Sequence, residues 1–123
     1  MKEEQVFSMP LAKVYPLLEQ KALRKGRTKE EVLTVIQWLT GYTPEDILRL
    51  QEEGITYGEF FRKAPAMNPA RKLIGGSICG VKLENIENPL MQDIRYLDKL
   101  IDELAKGKAL EKILRTPSQD NNG

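Results

Sequence analysis

Between Thr28 and Glu59 one short pattern occurs three times, as "TKEE", "TPED" and "TYGE". In each, a threonine precedes an apolar periodic run and an acid stands three residues on. The threonine oxygen can accept from an amide of the first helical turn, and the acid can reach back to the amide of the cap. Asp46 in the second box is a shorter arm than glutamate, which makes that box the weaker one. Gly41 and Gly54 follow the last apolar turns and supply the stops. Starts and stops this close together admit only short helices, expected near residues 29–40, 44–53 and 57–63. Their buried faces should carry Val32, Val35, Ile36 and Leu39, then Ile47 and Leu50, then Phe60 and Phe61. Tyr42 with Ile47 and Ile55 with Phe60 have the spacing of hydrophobic staples.

The flanking segments follow the same logic. A first helix is expected after Ser8, with Pro10 near its start and Leu11, Val14, Leu18 and Ala22 on one stripe beside Leu17. Pro16 interrupts that stripe and predicts a kink or restart, and Gly26 ends the element. "MNPARKLIGG" reads as a short helix capped by Asn68, with Pro69 at the first position. Asn88 and Pro89 play the same parts for the longest helix, "NPLMQDIRYLDKLIDELAKG". Leu90, Ile94, Leu97, Ile101 and Leu104 form its stripe, widened by Met91 and Leu100. Gly107 either breaks this helix or is tolerated at about 1 kcal/mol. Ile78, Val81 and Leu83 do not alternate cleanly, so the region 77–86 is expected to hold only a short extended segment or hairpin. "MKEEQ" and "TPSQDNNG" read as frayed ends. The expectation is one all-α domain over residues 1–123, ordered from about residue 7 to 115: a small orthogonal helical bundle around a long C-terminal helix.

Long segments of the chain also resemble a known family. "VYPLLEQKALRKGRTKEEVLTVIQWLTGY", "MNPARKLIGGSICGVKLENIENPL" and "IRYLDKLIDELAKGKALEKILR" are similar to the domain-of-unknown-function 2200 family of bacterial proteins, over about Phe7 to Leu114. The resemblance implies a small prokaryotic helical protein. It brings no catalytic residue, cofactor or substrate with it.

Composition narrows the chemistry. The chain has no histidine and one cysteine, Cys79. Ser–His and Cys–His catalysis are thereby excluded, along with a closed sulfur zinc site and an internal disulfide. No catalytic, cofactor-binding or metal-ligating set emerges, and the lone cysteine makes a reducing, cytoplasmic setting the default. A formal net charge of +1 argues against nucleic acid as a partner. No apolar run approaches the roughly 20 residues needed to span a bilayer, and "MKEEQVFSMP" has no apolar core of the signal-peptide kind.

The densest candidate for chemistry is "KLIGGSICGVK", Lys72 to Lys82, with three of the nine glycines. It lacks the order of a Walker-type phosphate loop. A looser nest of amides from Gly75, Gly76 and Ser77, with Arg71, Lys72 and Lys82 nearby, would suit an anion. Against this stands a structural bend, with Gly75 as a left-handed helix stop, Ile78 and Val81 returning to the core, and Cys79 packed beside them. The basic run "QKALRKGRTK" is read as structural, since "KEEV" would present acids to phosphates. Trp38 and Tyr42 are read as core. Asp98, Asp102 and Glu103 are read as a solvated face, with Lys99–Glu103 and Asp102–Lys106 as surface pairs. The favoured function is a non-enzymatic helical interaction module, with the wide face of the long helix as its candidate homodimer surface. The alternative is a binder of a small anionic ligand or nucleic acid, or an enzyme, using segment 72–82.

Overall fold

The computed structural model describes residues 2–116. Among these residues it contains seven α-helices, two short 3-10 segments and one two-stranded hairpin. The helices are α1 (Glu3–Ser8), α2 (Leu11–Leu23), α3 (Lys29–Thr40), α4 (Pro44–Glu52), α5 (Tyr57–Arg62), α6 (Pro89–Ala105) and α7 (Leu110–Ile113). Between α5 and α6 come a 3-10 turn, Pro69–Leu73, the antiparallel strands β1 (Ser77–Ile78) and β2 (Val81–Lys82), and a second 3-10 turn, Leu83–Asn85. The long helix α6 contacts α2, α3, α5, α7, β1 and the second 3-10 turn.

The repeated caps form as the pattern predicts. The Glu31 amide donates to Thr28 Oγ1 over 3.1 Å and the Thr28 amide to Glu31 Oε1 over 2.9 Å. The second box closes in both directions despite its shorter arm, at 3.1 Å into Thr43 Oγ1 and 3.0 Å into Asp46 Oδ2. At α5 only half the box forms: the Glu59 amide reaches Thr56 Oγ1, while the Glu59 carboxylate takes Arg62 at 2.7 Å instead. Gly41 ends α3 with φ +83°, and a Cβ there would meet Ala66 Cβ at 2.9 Å. Both conformation and space therefore require glycine at that position.

The core is one cluster fed by every helix except α1 and centred on α6. Ile94, Leu97, Ile101 and Leu104 are buried as expected, and so are Met91, Tyr96 and Leu100 on the neighbouring face. The apolar width that suggested a second subunit on this helix is covered by the chain's own elements. Met91 is 6% exposed and Leu100 is 0% exposed.

Three expectations need correction. "MKEEQ" does not fray beyond the first residues: Glu3–Ser8 form α1, which packs on α5. Phe7 lies directly over Gly58, where a Cβ would meet Phe7 Cβ at 2.9 Å. Two backbone bonds fix the following turn, Leu11 N–H to Ile55 O and Tyr57 N–H to Met9 O. Pro16 does not restart α2, which runs through it unbroken. The carbonyl that loses its donor belongs to Ala12, and Ala12 and Pro16 both face solvent, where water can replace the bond. Val81 does not return to the core; it is 48% exposed, and Leu83, at 1%, does so instead. Gly107, with φ +87°, does end α6, and α7 follows. The expected fraying of "TPSQDNNG" falls, beyond Thr116, outside the described residues.

Leu100 has no exposed surface, so Leu100→Ala should lower the unfolding free energy by about 2–5 kcal/mol in chemical denaturation. The first cap gives a pH-dependent expectation. The Arg27 guanidinium, then the Thr28 amide, hold the Glu31 carboxyl down to about 2 from its ordinary 4.5. A carboxyl depressed in the folded state stabilises the fold above its unfolded value, and this contribution is lost as pH falls through the folded one. Glu31→Gln should therefore flatten the fall in stability between those two pH values, measured by urea unfolding across the acid range, and leave the shape of the curve above pH 5, roughly, unchanged.

Candidate functional site

The segment between α5 and α6 is built from three local decisions. Asn68 accepts from the Ala70 amide over 2.9 Å and Pro69 fixes the first φ, so a turn of helix starts. It is a 3-10 turn rather than the expected α-helix, and it ends at Ile74 in extended backbone. Gly75 is consequently not the left-handed stop; the positive φ falls one residue later, at Gly76, with φ +89°. The chain then folds back through a two-residue turn, Cys79 (φ +54°) and Gly80 (φ +80°), with Ile78 opposite Val81. Positive φ at both central positions is the turn that suits the twist of a hairpin. Cys79 stands at its tip and is exposed, contrary to the packed position expected for it. A two-residue turn leaves its central side chains nothing to pack against. Ile78 alone of the tip residues lies against the core.

Under this segment is a cavity of about 400 Å³ lined by Lys72, Gly75, Gly76, Ser77, Lys82, Glu84 and Tyr96, with Ile74 at its base. Five of the six residues proposed for anion binding thus share one cavity. The sixth, Arg71, does not join them: its Nε donates to Asp93 Oδ1 over 2.9 Å and its Nη1 to Asn68 O over 3.0 Å. Lys72 Nζ donates to Gln92 Oε1 over 3.1 Å and lies 5.8 Å from the centre of the Tyr96 ring. Among the described residues neither Lys72 nor Lys82 forms an ion pair. Burial, then the charge of Asp93, pushes the Tyr96 phenol up, so it remains a neutral donor at physiological pH. Lys99, expected as a surface partner of Glu103, stands here instead. Its Nζ donates to Ser77 O over 3.2 Å and lies beside Gly76. Only its spacing of three residues from Tyr96 and four from Arg95, which sets all three on one side of α6, hinted at it.

The glycines can be sorted by what holds them. A positive φ requires glycine at residues 26, 41, 54, 76, 80 and 107, and a close approach to Phe7 requires it at Gly58. Gly75 has neither: its φ is not positive, and no atom lies within 4 Å of where a Cβ would stand. Gly76 has a positive φ and Gly75 does not, and successive amides about such a turn can face one side. Among the described residues no protein acceptor takes either amide. The carbonyl of Gly76 is used, by the Leu83 amide at 3.0 Å.

The other candidates resolve as structure. Lys21 pairs with Asp102 at 3.5 Å. Arg27 binds Glu31 at 2.7 Å and donates to the Lys108 carbonyl over 2.7 Å, beyond the C-terminal end of α6. Tyr42 is buried, stacks on Phe60 at 4.5 Å and donates to Phe60 O over 2.8 Å, while Trp38 packs half-buried against the core. Asp98 takes Arg95 at 2.9 Å, and Asp102 takes Lys106 at 3.1 Å as expected. The expected Lys99–Glu103 surface pair is replaced. Glu103 is 8% exposed and is held by both nitrogens of the Arg115 fork, at 2.6 and 2.8 Å. No group of three acidic or sulfur side chains suited to a metal ion occurs among the described residues. Nor is any helix there long and apolar enough to cross a membrane.

Comparison with known proteins agrees with this geometry and adds no function to it. A family model described as an uncharacterised protein conserved in bacteria, domain of unknown function 2200, matches residues 5–115. The crystal structure of an uncharacterised protein, SP1917, superposes with a TM-score of 0.87 at 48% identity, over 92% of this chain and 93% of that one. No curated protein matches the chain.

The exposed tip makes a clear forecast for the thiol. Cys79 should react with a thiol reagent in the native state within about threefold of its rate in the unfolded chain, because solvent access and not opening controls it. Labelling slowed by orders of magnitude in the native state would contradict the position described.

Proposed function

The chain belongs to this bacterial domain-of-unknown-function 2200 family, and from that premise we propose that it binds a small anionic ligand in the cavity formed by Lys72, Gly75, Gly76, Ser77, Lys82 and Tyr96. The observation that carries this reading is Gly75. The fold asks for glycine at every other described glycine position, by φ or by space, and does not ask for it there. A residue without a side chain at the wall of a cavity lets a ligand approach the backbone, which is the use glycine has in anion-binding loops. The unpaired ammonium groups of Lys72 and Lys82 supply charge, and the neutral Tyr96 phenol supplies a donor. Glu84 on the same wall penalises a second anionic group beside it, so the ligand carries its charge at one end and donor groups such as hydroxyls at the other. The helical interaction module rests on the absent histidine, the missing catalytic set and the cap-and-core pattern, none of which points to a partner, and the α6 face expected for its homodimer lies within the core.

Gly75→Ala separates folding from binding. With no strain and open space, it should leave stability unchanged or raise it by about 0.4–1 kcal/mol through the unfolded chain. It should also weaken binding of inorganic phosphate or glucose 6-phosphate, followed by the amide resonances of Gly75, Gly76 and Ser77. Gly76→Ala, placed at positive φ, should cost about 1 kcal/mol or more. Amide resonances that do not move with either probe would sink the proposal. So would a Lys72→Ala/Lys82→Ala double variant that titrates like the parent.

A further inference from the structure

A second cavity, of about 520 Å³, lies between α2, α3 and α4. Its character differs from the first. Leu33, Pro44, Ile47 and Leu48 give it apolar walls, and Leu48 is 61% exposed at its mouth. On the α2 side stand Tyr15 and Glu19, one helical turn apart and so on one face. Tyr15 is 7% exposed. Its Oη and the Oε2 of Glu19 are both shut off from solvent, and among the described residues neither completes a hydrogen bond.

Such a pair is out of place in a chain whose threonine and asparagine caps each accept their amide. A buried polar atom without a partner costs about 1–3 kcal/mol, more for a charged group. Burial, then the neighbouring Glu19 carboxylate, pushes the Tyr15 phenol up, so it keeps its proton. Turned toward Glu19, that proton can meet one lone pair of the carboxylate. What remains unmet is acceptor capacity: a lone pair on Tyr15 Oη and those of Glu19 Oε2. The pair therefore calls for a donor, and the carboxylate favours one with positive charge. No basic side chain among the described residues pairs with Glu19. Lys29 and Glu45 also line the cavity as exposed residues of opposite sign, and they leave the charge of Glu19 uncompensated.

We infer that this groove binds a primary ammonium group carried on an apolar stem, with the ammonium between Tyr15 and Glu19 and the stem on Leu33, Ile47 and Leu48. It is a site for a cation, separate from the anion cavity in residues and in chemistry, and it stands whether or not that reading holds. A free alkylamine and a lysine side chain share this chemistry.

The test is a titration of the intact chain with n-hexylamine, 1-hexanol and Nα-acetyl-lysine amide, followed by the methyl resonances of Leu33, Ile47 and Leu48 and the ring of Tyr15. Hexylamine should shift them saturably, and hexanol should bind at least about tenfold more weakly, for want of the charge-assisted bond. Glu19→Gln should reduce hexylamine to the level of hexanol. Tyr15→Phe should weaken hexylamine several-fold while leaving the melting temperature unchanged or raised, since it removes an unpaired hydroxyl. If the lysine derivative binds as well as hexylamine, the natural donor is a protein side chain; if only hexylamine binds, it is a free amine. Unmoved resonances, equal binding of hexanol, or a Tyr15→Phe variant that loses stability and keeps its affinity would each overturn the inference. The comparison of hexanol with hexylamine on the parent chain decides the matter even if Glu19→Gln fails to fold.

Discussion

Everything in this structure depends on α6 being buried on two faces at once. A surface helix of a small bundle usually buries one stripe. Here Ile94, Leu97, Ile101 and Leu104 are covered together with Met91, Tyr96 and Leu100. At about 1.5–3 kcal/mol for each large apolar side chain fully removed from water, no other element contributes as much to the hydrophobic balance. Short helices alone cannot supply such cover from one side, so they are distributed around α6, with the hairpin segment closing part of the remainder. What is left on α6 is a half-buried polar strip, and that strip positions the candidate anion site. Gln92 donates to the Leu83 carbonyl over 3.0 Å and accepts from Lys72, Asp93 fixes Arg71, and Lys99 holds the Ser77 carbonyl. The glycine-rich segment lacks regular structure long enough to place itself. It takes its geometry from the helix beneath.

The C-terminal end of α6 is held by charge rather than by apolar contact. Arg27, from the loop before α3, joins the Glu31 cap to the Lys108 carbonyl. A guanidinium at a helix C-terminus meets orphan carbonyls and the negative end of the dipole together. Burial pushes Glu103 up, but the Arg115 fork and Lys108 more than offset it and hold the carboxyl below its ordinary range. The bidentate fork supplies two hydrogen bonds in fixed geometry, which is what makes a buried carboxylate tolerable. The basic run, read as structural from the sequence, supplies through Arg27 the clamp between the loop before α3 and the end of α6.

The parts of this fold readable from sequence are those decided within four or five residues. Thr28, Thr43, Thr56, Asn68 and Asn88 each cap the turn they precede, and Gly41, Gly54 and Gly107 each end one. The misreadings arise where a distant residue decides. α1 has few helix-stabilising features of its own and exists because Phe7 finds Gly58, some fifty positions away in sequence. Pro16 is harmless because the face it disrupts happens to meet water. The grouping of Lys72, Gly75, Gly76, Ser77 and Lys82 was legible because it is local. Tyr96 and Lys99 were not, because only the packing of the hairpin on α6 brings them there. Tyr15 and Glu19 carried no signal at all: a tyrosine and a glutamate one turn apart are commonplace until α3 and α4 close over them.

Where local rules are obeyed throughout, the exceptions become informative, because a consistent sequence has no folding reason to contain them. Four stand out here: a glycine with no strain or crowding at Gly75, a left-handed cysteine at Cys79, the unpartnered pair Tyr15 and Glu19, and the unpartnered hydroxyl of Tyr57. They are not equal. Cys79 satisfies a hairpin turn, so its φ has a structural cause. Tyr57 lies edge-on to Phe61 in the core, 3% exposed, and lines neither cavity, so no ligand can relieve its hydroxyl and its cost is borne by the fold. Gly75 and the Tyr15–Glu19 pair combine a violation that no turn or packing explains with a place on a cavity wall. The two have opposite chemical character, free amides with lysines in one and free carboxylate lone pairs in the other. A fold of this size can hold both because the core is centred on α6. Segment 72–84 enters it through Ile74 and Leu83 and leaves Gly75 and Gly76 between them on a cavity wall, while α3 and α4 meet α2 at the rim of the core, where Leu48 stays exposed.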